Sequence, residues 1–333
     1  MNNLNGVMII PTGMGCKLGG DAAYTPGVKL IASCTQNLIV NPNSVNASDV
    51  NELPGNALYV EGSTIDRFMW GKVNLRKTKT LNRILMVVNT EATPVNLNSM
   101  NAGIWGLGAD IKILPLKTPL RMRATMQADG TAGGEFSGVD ELVDAVQDLD
   151  FDALAIQTPI ECDPEVSNAY WKNGGVNPWG GIEAIVSKEI AQRINKPLAH
   201  APVDTSWDDR SLYSELVVAR SMAPEIISST YTFCILKGLH RAPRLEFDLQ
   251  AKDCLSNKDI DFLLTPHGCF GRPHWAAQQK GIPIIVVKEN TTCFSKDFEY
   301  PTTDGVIFVE NYLEAAGLIM SMSSGVDYRT VLA

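Results

Sequence analysis

Short, wholly apolar runs recur along this chain, each followed by a loop of Gly, Pro and Asn and then by apolar positions at helical spacing. Runs without polar alternation mark strands buried on both faces, as in a parallel sheet covered by helices. They place strands at 7–11, 38–40, 84–88, 111–114, 153–156, 198–200, 262–264, 282–287 and 305–309. Between them, Val139, Leu142, Val143 and Val146 form a helical stripe that Ser137, with Asp140 and Glu141, would open. Ile182, Ile185, Val186, Ile190 and Ile194 form a second stripe. Asn311 and Glu314 stand at capping-box separation before a third, built from Tyr312, Leu313, Ala316, Ile319 and Met320. All three read as core faces. The pattern predicts an α/β protein with a layered, mainly parallel, Rossmann-like sheet and helices on both faces. Strands ending near residues 11, 40, 156, 200 and 264 are expected in one sheet, with their loops along one edge. Segments 160–180 and 288–304 read as long loops ordered by Trp171, Trp179 and Tyr300.

Length and charge narrow the reading. The 333 residues suit one α/β unit over 1–333, divisible into two lobes at about residue 120 with a site between them. Against 28 Lys+Arg stand 37 Asp+Glu, a formal charge of -9, which argues against nucleic acid or an anionic membrane surface as the main partner. The seven cysteines are odd in number, dispersed and without a CxxC pair, so neither a metal knuckle nor a disulfide framework is expected. The opening MNNLNGVMIIPTG lacks a charged region ahead of its short apolar run, and no apolar stretch nears the ~18 residues that span a bilayer. A cytoplasmic protein is expected, and a homo-oligomer is compatible with it.

Ligands in open α/β sheets sit beyond the carboxyl ends of strands, which directs attention to four loops. The loop PTGMGCKLGGD brings Gly13, Gly15, Gly19 and Gly20 after the first strand, where backbone N–H groups can approach a phosphate or carboxylate. Its spacing fits neither GxGxxG nor a P-loop, so no nucleotide cofactor is implied. NPNSVN offers Asn41 and Asn43, and HAPVD offers His200. TPHGCFGRPH gathers His267, Cys269, Arg272 and His274, a setting that suits an accessible, acidified thiol, unlike Cys34 in mid-helix. Their spacing matches no metal-ligand pattern. Glu61, Asp66, Arg67, Glu161, Asp163, Arg241 and Arg244 are further candidates, the carboxylates as bases and the arginines as clamps for an acidic group. Helix capping and surface pairing explain each equally well when taken alone.

The motifs PTGMGCKLGGDA, NPNSVNAS, NALYVEGSTIDRF, AHAP, TPHGCFGRP and GIPIIVVKENTT, in this order, resemble the bacterial and plastid family labelled "domain of unknown function 3326". That resemblance covers nearly the whole chain and implies one family-specific unit, with no catalytic residues to carry over. Cys16 and Cys269, in glycine-rich loops near opposite ends of the chain, also give a layout similar to the two-cysteine aspartate/glutamate racemases. Gly15 and Lys17 flank Cys16, and Phe270 stands where that family has a threonine, so the likeness stops at the layout.

The first functional reading is therefore a cofactor-independent isomerase, racemase or lyase moving a proton on a small carboxylate-bearing metabolite. Cys269, Cys16 and His267 would act, and Gly13, Gly15, Gly19, Gly20, Asn41, Asn43, Glu61, Arg67, His200, Arg241 and Arg272 would bind. Arg272 and a second arginine are expected to make the pocket electropositive. A cysteine hydrolase or acyl transferase, and a noncatalytic sensor of an anionic metabolite, stay open beside it.

Overall fold

A computed structural model of the chain describes residues 3–19, 24–45, 53–77, 79–89, 94–203, 216–228 and 231–331. The first part of the chain forms β1 (Asn5–Met8), α1 (Thr25–Ser33), β2 (Asn37–Val40), α2 (Pro42–Val45), β3 (Ala57–Tyr59), α3 (Gly62–Met69) and β4 (Asn74–Arg76). The middle forms β5 (Ile84–Asn89), α4 (Pro94–Leu107), β6 (Ile111–Leu116), β7 (Arg121–Met126), β8 (Ala132–Ser137), α5 (Val139–Val146) and β9 (Ala153–Pro159), then α6 (Pro164–Asn173), α7 (Pro178–Ile194) and β10 (Leu198–Val203). The last part forms α8 (Ala223–Ile226), α9 (Thr232–His240), β11 (Arg244–Glu246), β12 (Phe262–His267), α10 (Arg272–Gln279), β13 (Ile284–Thr291), β14 (Val306–Val309) and α11 (Tyr312–Ser324).

The expected parallel, helix-covered architecture is present, but the strands divide between two sheets. Six parallel strands run in the order β14-β13-β12-β1-β2-β3, and four run β10-β9-β5-β6. The strands ending near 11, 40 and 264 lie in the first, and those ending near 156 and 200 in the second. The six-stranded order is that of a doubly wound fold: the chain starts centrally at β1, winds outward to β3, and returns at β12 on the other side. The switch point therefore lies between β1 and β12. Between the two halves of this winding, residues 84–203 supply the whole four-stranded sheet, so the larger sheet draws on both ends of the chain.

Successive residues of the buried strands serve opposite faces. Met8, Leu38 and Leu264 pack into a cluster with Val28 and Ile31 of α1 and Ile319 of α11. Val7, Ile39 and Leu263 pack the other way onto Ile65 and Phe68 of α3 and Ala276 of α10. The first cluster also takes in Met86, Ala155 and Ala199 from the smaller sheet and Ile235 and Leu239 of α9, so one core joins the sheets. A third cluster, under α5 and α7, covers the smaller sheet with Val87, Leu154, Leu142 and Ile182.

Local expectations differ in four places. Ser137 ends β8, and α5 opens after Gly138 in the left-handed region (φ 89°), without a side-chain cap. The antiparallel hairpin β7–β8 escapes the apolar-run criterion because only one face of it is covered. Segment 160–180 holds α6, whose start Asp163 caps by accepting from the Glu165 N–H at 2.8 Å. In the third helix the Asn311 side chain accepts from Glu314 N at 3.0 Å, but Glu314 accepts from Glu310 N instead of closing the box, and Leu313 and Met320 of the expected core face are exposed.

Candidate functional site

At the carboxyl end of the six-stranded sheet, beside its switch point, a cleft of about 390 Å³ opens against α7 and β10 of the smaller sheet. Its volume lies within the range of small-molecule sites, roughly 300–1,000 Å³. Ile9, Pro11 and Met14 follow β1; Asn41 and Asn43 follow β2; Glu61, Ser63 and Asp66 follow β3; Cys269, Phe270, Gly271, Pro273 and His274 follow β12, and Arg272 is not on the wall. Glu183, Ser187 and Lys188 of α7 close the opposite side with Ala199 and His200 of β10. Each of the four loops read from sequence contributes at least one wall residue, although His200 and Ala199 belong to the strand itself.

Most polar groups on the wall are already engaged. Asn41 is buried and ties two strand ends together: its Oδ1 accepts from Ile10 N (3.0 Å) and Ser44 Oγ (2.7 Å), and its Nδ2 donates to Ile10 O (2.8 Å). Glu61 caps α3, its carboxylate accepting from Ser63 N (2.8 Å), Ser63 Oγ (2.6 Å), Thr64 N (2.9 Å) and Thr64 Oγ1 (3.2 Å). His274 accepts the Gly271 N–H at Nδ1 (3.0 Å), so its proton sits on Nε2, against Thr265 Oγ1 at 3.1 Å. Burial pushes its pKa down to about 4, and the ring is neutral.

Two groups are only half engaged. Nε2 of His200 lies 2.9 Å from Thr158 Oγ1, while Nδ1, shut off from solvent, has no hydrogen-bond partner among the described residues. Burial lowers this pKa to about 3. Asp66 Oδ2 pairs with Arg272 Nε at 2.9 Å, and Oδ1 is buried without a partner.

Cys269 borders the cleft but is only 2% exposed, against the expectation of an accessible thiol. Its turn depends on Gly268 (φ 87°), where a Cβ would meet Ser295 Oγ at 2.4 Å. Cys16, 8% exposed, is not on the cleft wall; its Sγ lies 4.0 Å from Pro11 O. Both thiols belong to one buried cluster with Tyr312, whose phenol is held protonated by burial and, secondarily, by their proximity. Cys34 caps the end of α1 instead of lying within it.

The remaining expected residues are dispersed. His267 is not on the cleft wall and stands edge-on to Tyr300, with ring centroids 5.8 Å apart. Gly13, Gly15 and Gly19 do adopt the left-handed region (φ 73°, 57° and 75°). Two N–H groups of their loop are taken within the protein: Lys17 N donates to Thr291 O (2.8 Å) and Leu18 N to Asn290 Oδ1 (2.8 Å). Gly20 lies outside the described residues. Arg67 pins α3 to α7, donating to Asn195 Oδ1 (3.0 Å) and Ala191 O (3.4 Å); burial lowers its pKa, with Glu61 and Asp66 opposing. Arg241 is exposed beside Pro54 and Ala57, at the amino end of β3. Arg244 binds Asp152 at 3.0 Å. Arg272 is 67% exposed and held by Asp66. Among the described wall residues Glu61, Asp66 and Glu183 outnumber Lys188, so the expected electropositive pocket is not formed.

Sequence reading missed Glu183, Ser187 and Lys188, polar residues of the second-stripe helix that carry no motif. Thr158 was missed as well, because it lies beyond the strand read at 153–156, which extends to Pro159. Among the described residues no helix is long and apolar enough to cross a membrane, and no cluster of His, Cys, Asp and Glu could hold a metal ion.

The comparisons with known proteins agree with the motif order. An uncharacterized lipoprotein of Synechococcus sp. is 30% identical over 354 residues, covering 98% of this chain and 92% of that protein. No solved structure matches the chain. The relative overturns the cytoplasmic expectation: acidic charge and the absence of a spanning stretch describe a folded body, which a lipid-anchored protein also has. The model of the family described as a protein of unknown function (DUF3326) matches residues 5–332, and the chain belongs to that family.

Proposed function

We propose that the protein is an enzyme that binds a small carbonyl compound in this cleft and moves a proton on it. The observation that carries the reading is that Cys269 and His200, brought from different sheets, border one cleft at the switch point of the larger sheet. As a thiolate, Cys269 takes a proton from the carbon beside the carbonyl. The C–H electron pair moves onto the oxygen, and the new S–H returns the proton at the same or the neighbouring carbon. His200 is neutral; in the tautomer whose Nε2 accepts from Thr158 Oγ1, its Nδ1–H is the donor for the developing oxyanion. Only one thiol lines the cleft, so a single base acts, and His267 and Cys16 have no direct part.

The test is proton exchange in D2O across a panel of small ketones, amides and carboxylates, followed by mass. Deuterium at the α-carbon that disappears in Cys269→Ser is the expected result. The burial of Cys269 favours a second reading, a binding protein without turnover. Saturable binding with no exchange in any compound would select it.

A further inference from the structure

The wall of the cleft also specifies the head group it takes, and this inference rests on the cleft being a ligand site. Asn41, Glu61 and His274 have their hydrogen-bonding positions filled from within the protein. Among the described wall residues two shielded polar atoms lack a hydrogen-bond partner: His200 Nδ1, on a residue 3% exposed, and Asp66 Oδ1. They belong to opposite sides of the cleft, one on β10 of the smaller sheet and the other on α3 of the larger.

Their chemistry is complementary. An ionised carboxylate only accepts, so Asp66 Oδ1 asks for an N–H or O–H. Neutral His200 offers a donor at Nδ1 when Thr158 donates to Nε2, which suits a carbonyl oxygen. A carboxylate ligand satisfies His200 but sets its second oxygen against Asp66, and the wall adds Glu61 and Glu183 against a single Lys188. Arg272 gives such a ligand little help, because Asp66 already holds it and most of it is in solvent. The rest of the wall is largely apolar, with Ile9, Met14, Ile65 and Phe270. We infer that the cleft selects an uncharged primary or secondary amide with a small apolar body, its C=O on His200 and its N–H on Asp66. It rejects the matching carboxylate.

The probes are isobutyramide and isobutyrate, which share one apolar body and differ at the head group. Binding is followed near neutral pH through the imidazole nitrogens of His200 in histidine-labelled, full-length protein. Isobutyramide should shift His200 and bind about tenfold or more tightly than isobutyrate, as expected for one charge-assisted hydrogen bond gained against one repulsion. Asp66→Asn, which offers an N–H and releases Arg272, should abolish or reverse that preference while leaving the His200 resonances native-like. If isobutyrate binds wild type as well as isobutyramide, or Asp66→Asn leaves the preference unchanged, the head-group inference is wrong and the cleft survives as a ligand site. If neither probe shifts His200 up to its solubility limit, the inference fails and the cleft reading fails with it.

Discussion

The Thr158 hydroxyl stands 2.9 Å from Nε2 of His200 and joins the parallel strands β9 and β10 on one face of the smaller sheet. Both residues are buried. A charged imidazole here would carry an Nδ1–H facing no acceptor among the described residues, inside a desolvated site. Burial therefore moves His200 down to about 3 and, independently, His274 down to about 4. The cleft is lined by two rings kept neutral.

That neutrality makes stability depend on pH in a defined window. In the unfolded chain both rings titrate near 6.5, so between about 6.5 and their folded values the unfolded state binds more protons. Stability from this source is fully present above about pH 6.5 and is lost as pH falls toward 4 and 3. Each ring contributes a slope of up to about 1.4 kcal/mol per pH unit there. Urea unfolding between about pH 7 and 5 should show it, and His200→Gln should remove roughly half of the slope due to the pair. A slope unaffected by the substitution would mean that the ring is not held neutral.

Asn41 is a structural brace at the cleft mouth. Its amide extends the β1–β2 ladder by one residue through both backbone groups of Ile10. Asn41→Ala leaves a buried N–H and C=O unpaired, at about 1–3 kcal/mol each. A loss of about 3 kcal/mol in chemical unfolding is expected. Asn41→Asp should be at least as damaging, because it turns an acceptor toward the Ile10 carbonyl.

The larger sheet was legible because its strands are buried on both faces, and Val7–Met8 or Leu263–Leu264 then show no polar alternation. The same criterion could not divide strands between two sheets: Ala155 and Ala199 look like any other buried strand residue, and α9 merges both sheets into one core. Cys269, His200, Asn41, Asn43 and Glu61 reach the cleft because sheet topology brings strand ends together. His267 and Cys16 do not, because residues one or two apart at a turn can face opposite sides of the sheet. The N–H groups of Lys17 and Leu18 were promising in sequence but are taken by Asn290 and Thr291, about 270 residues away, which no local pattern reveals.

Helix α7 carries Glu183, Ser187 and Lys188 to the cleft and rests directly on the β7–β8 hairpin. At Gly181 a Cβ would lie 2.1 Å from Ala132 O and 2.3 Å from Ala132 C, both backbone atoms that no rotamer can move. Gly181→Ala should therefore lift the helix start and lower stability by about 1–3 kcal/mol, as overpacking does. It should also weaken any cleft ligand by moving that wall. Gly62→Ala, at the start of α3, has nothing within 4 Å of its Cβ and should be neutral or slightly stabilising in the same thermal melt.

Thiol reactivity separates the cysteines by burial more sharply than their loop positions suggest. None of the seven forms a disulfide; Cys293 is the exposed one, Cys162 and Cys254 are intermediate, and Cys16, Cys34, Cys234 and Cys269 are buried. Cys293 covers Gly15, its Sγ 3.6 Å from the Gly15 carbonyl, and partial burial raises its pKa. Exposure still gives an alkylating reagent access, whereas a 2% exposed thiol must wait for the cleft wall to open. Iodoacetamide near pH 8, quenched at intervals and mapped by peptide mass, should label Cys293 first and Cys269 in the slow group. Cys293→Ser should remove the fast phase without altering the slow one. A cleft ligand should slow Cys269 further and leave Cys293 unchanged, since Cys269 borders the cleft and Cys293 does not. Labelling of Cys269 at the rate of Cys293 in the folded protein would show that the cleft opens freely to solvent. Its thiol would then be available to substrate without any rearrangement of the wall.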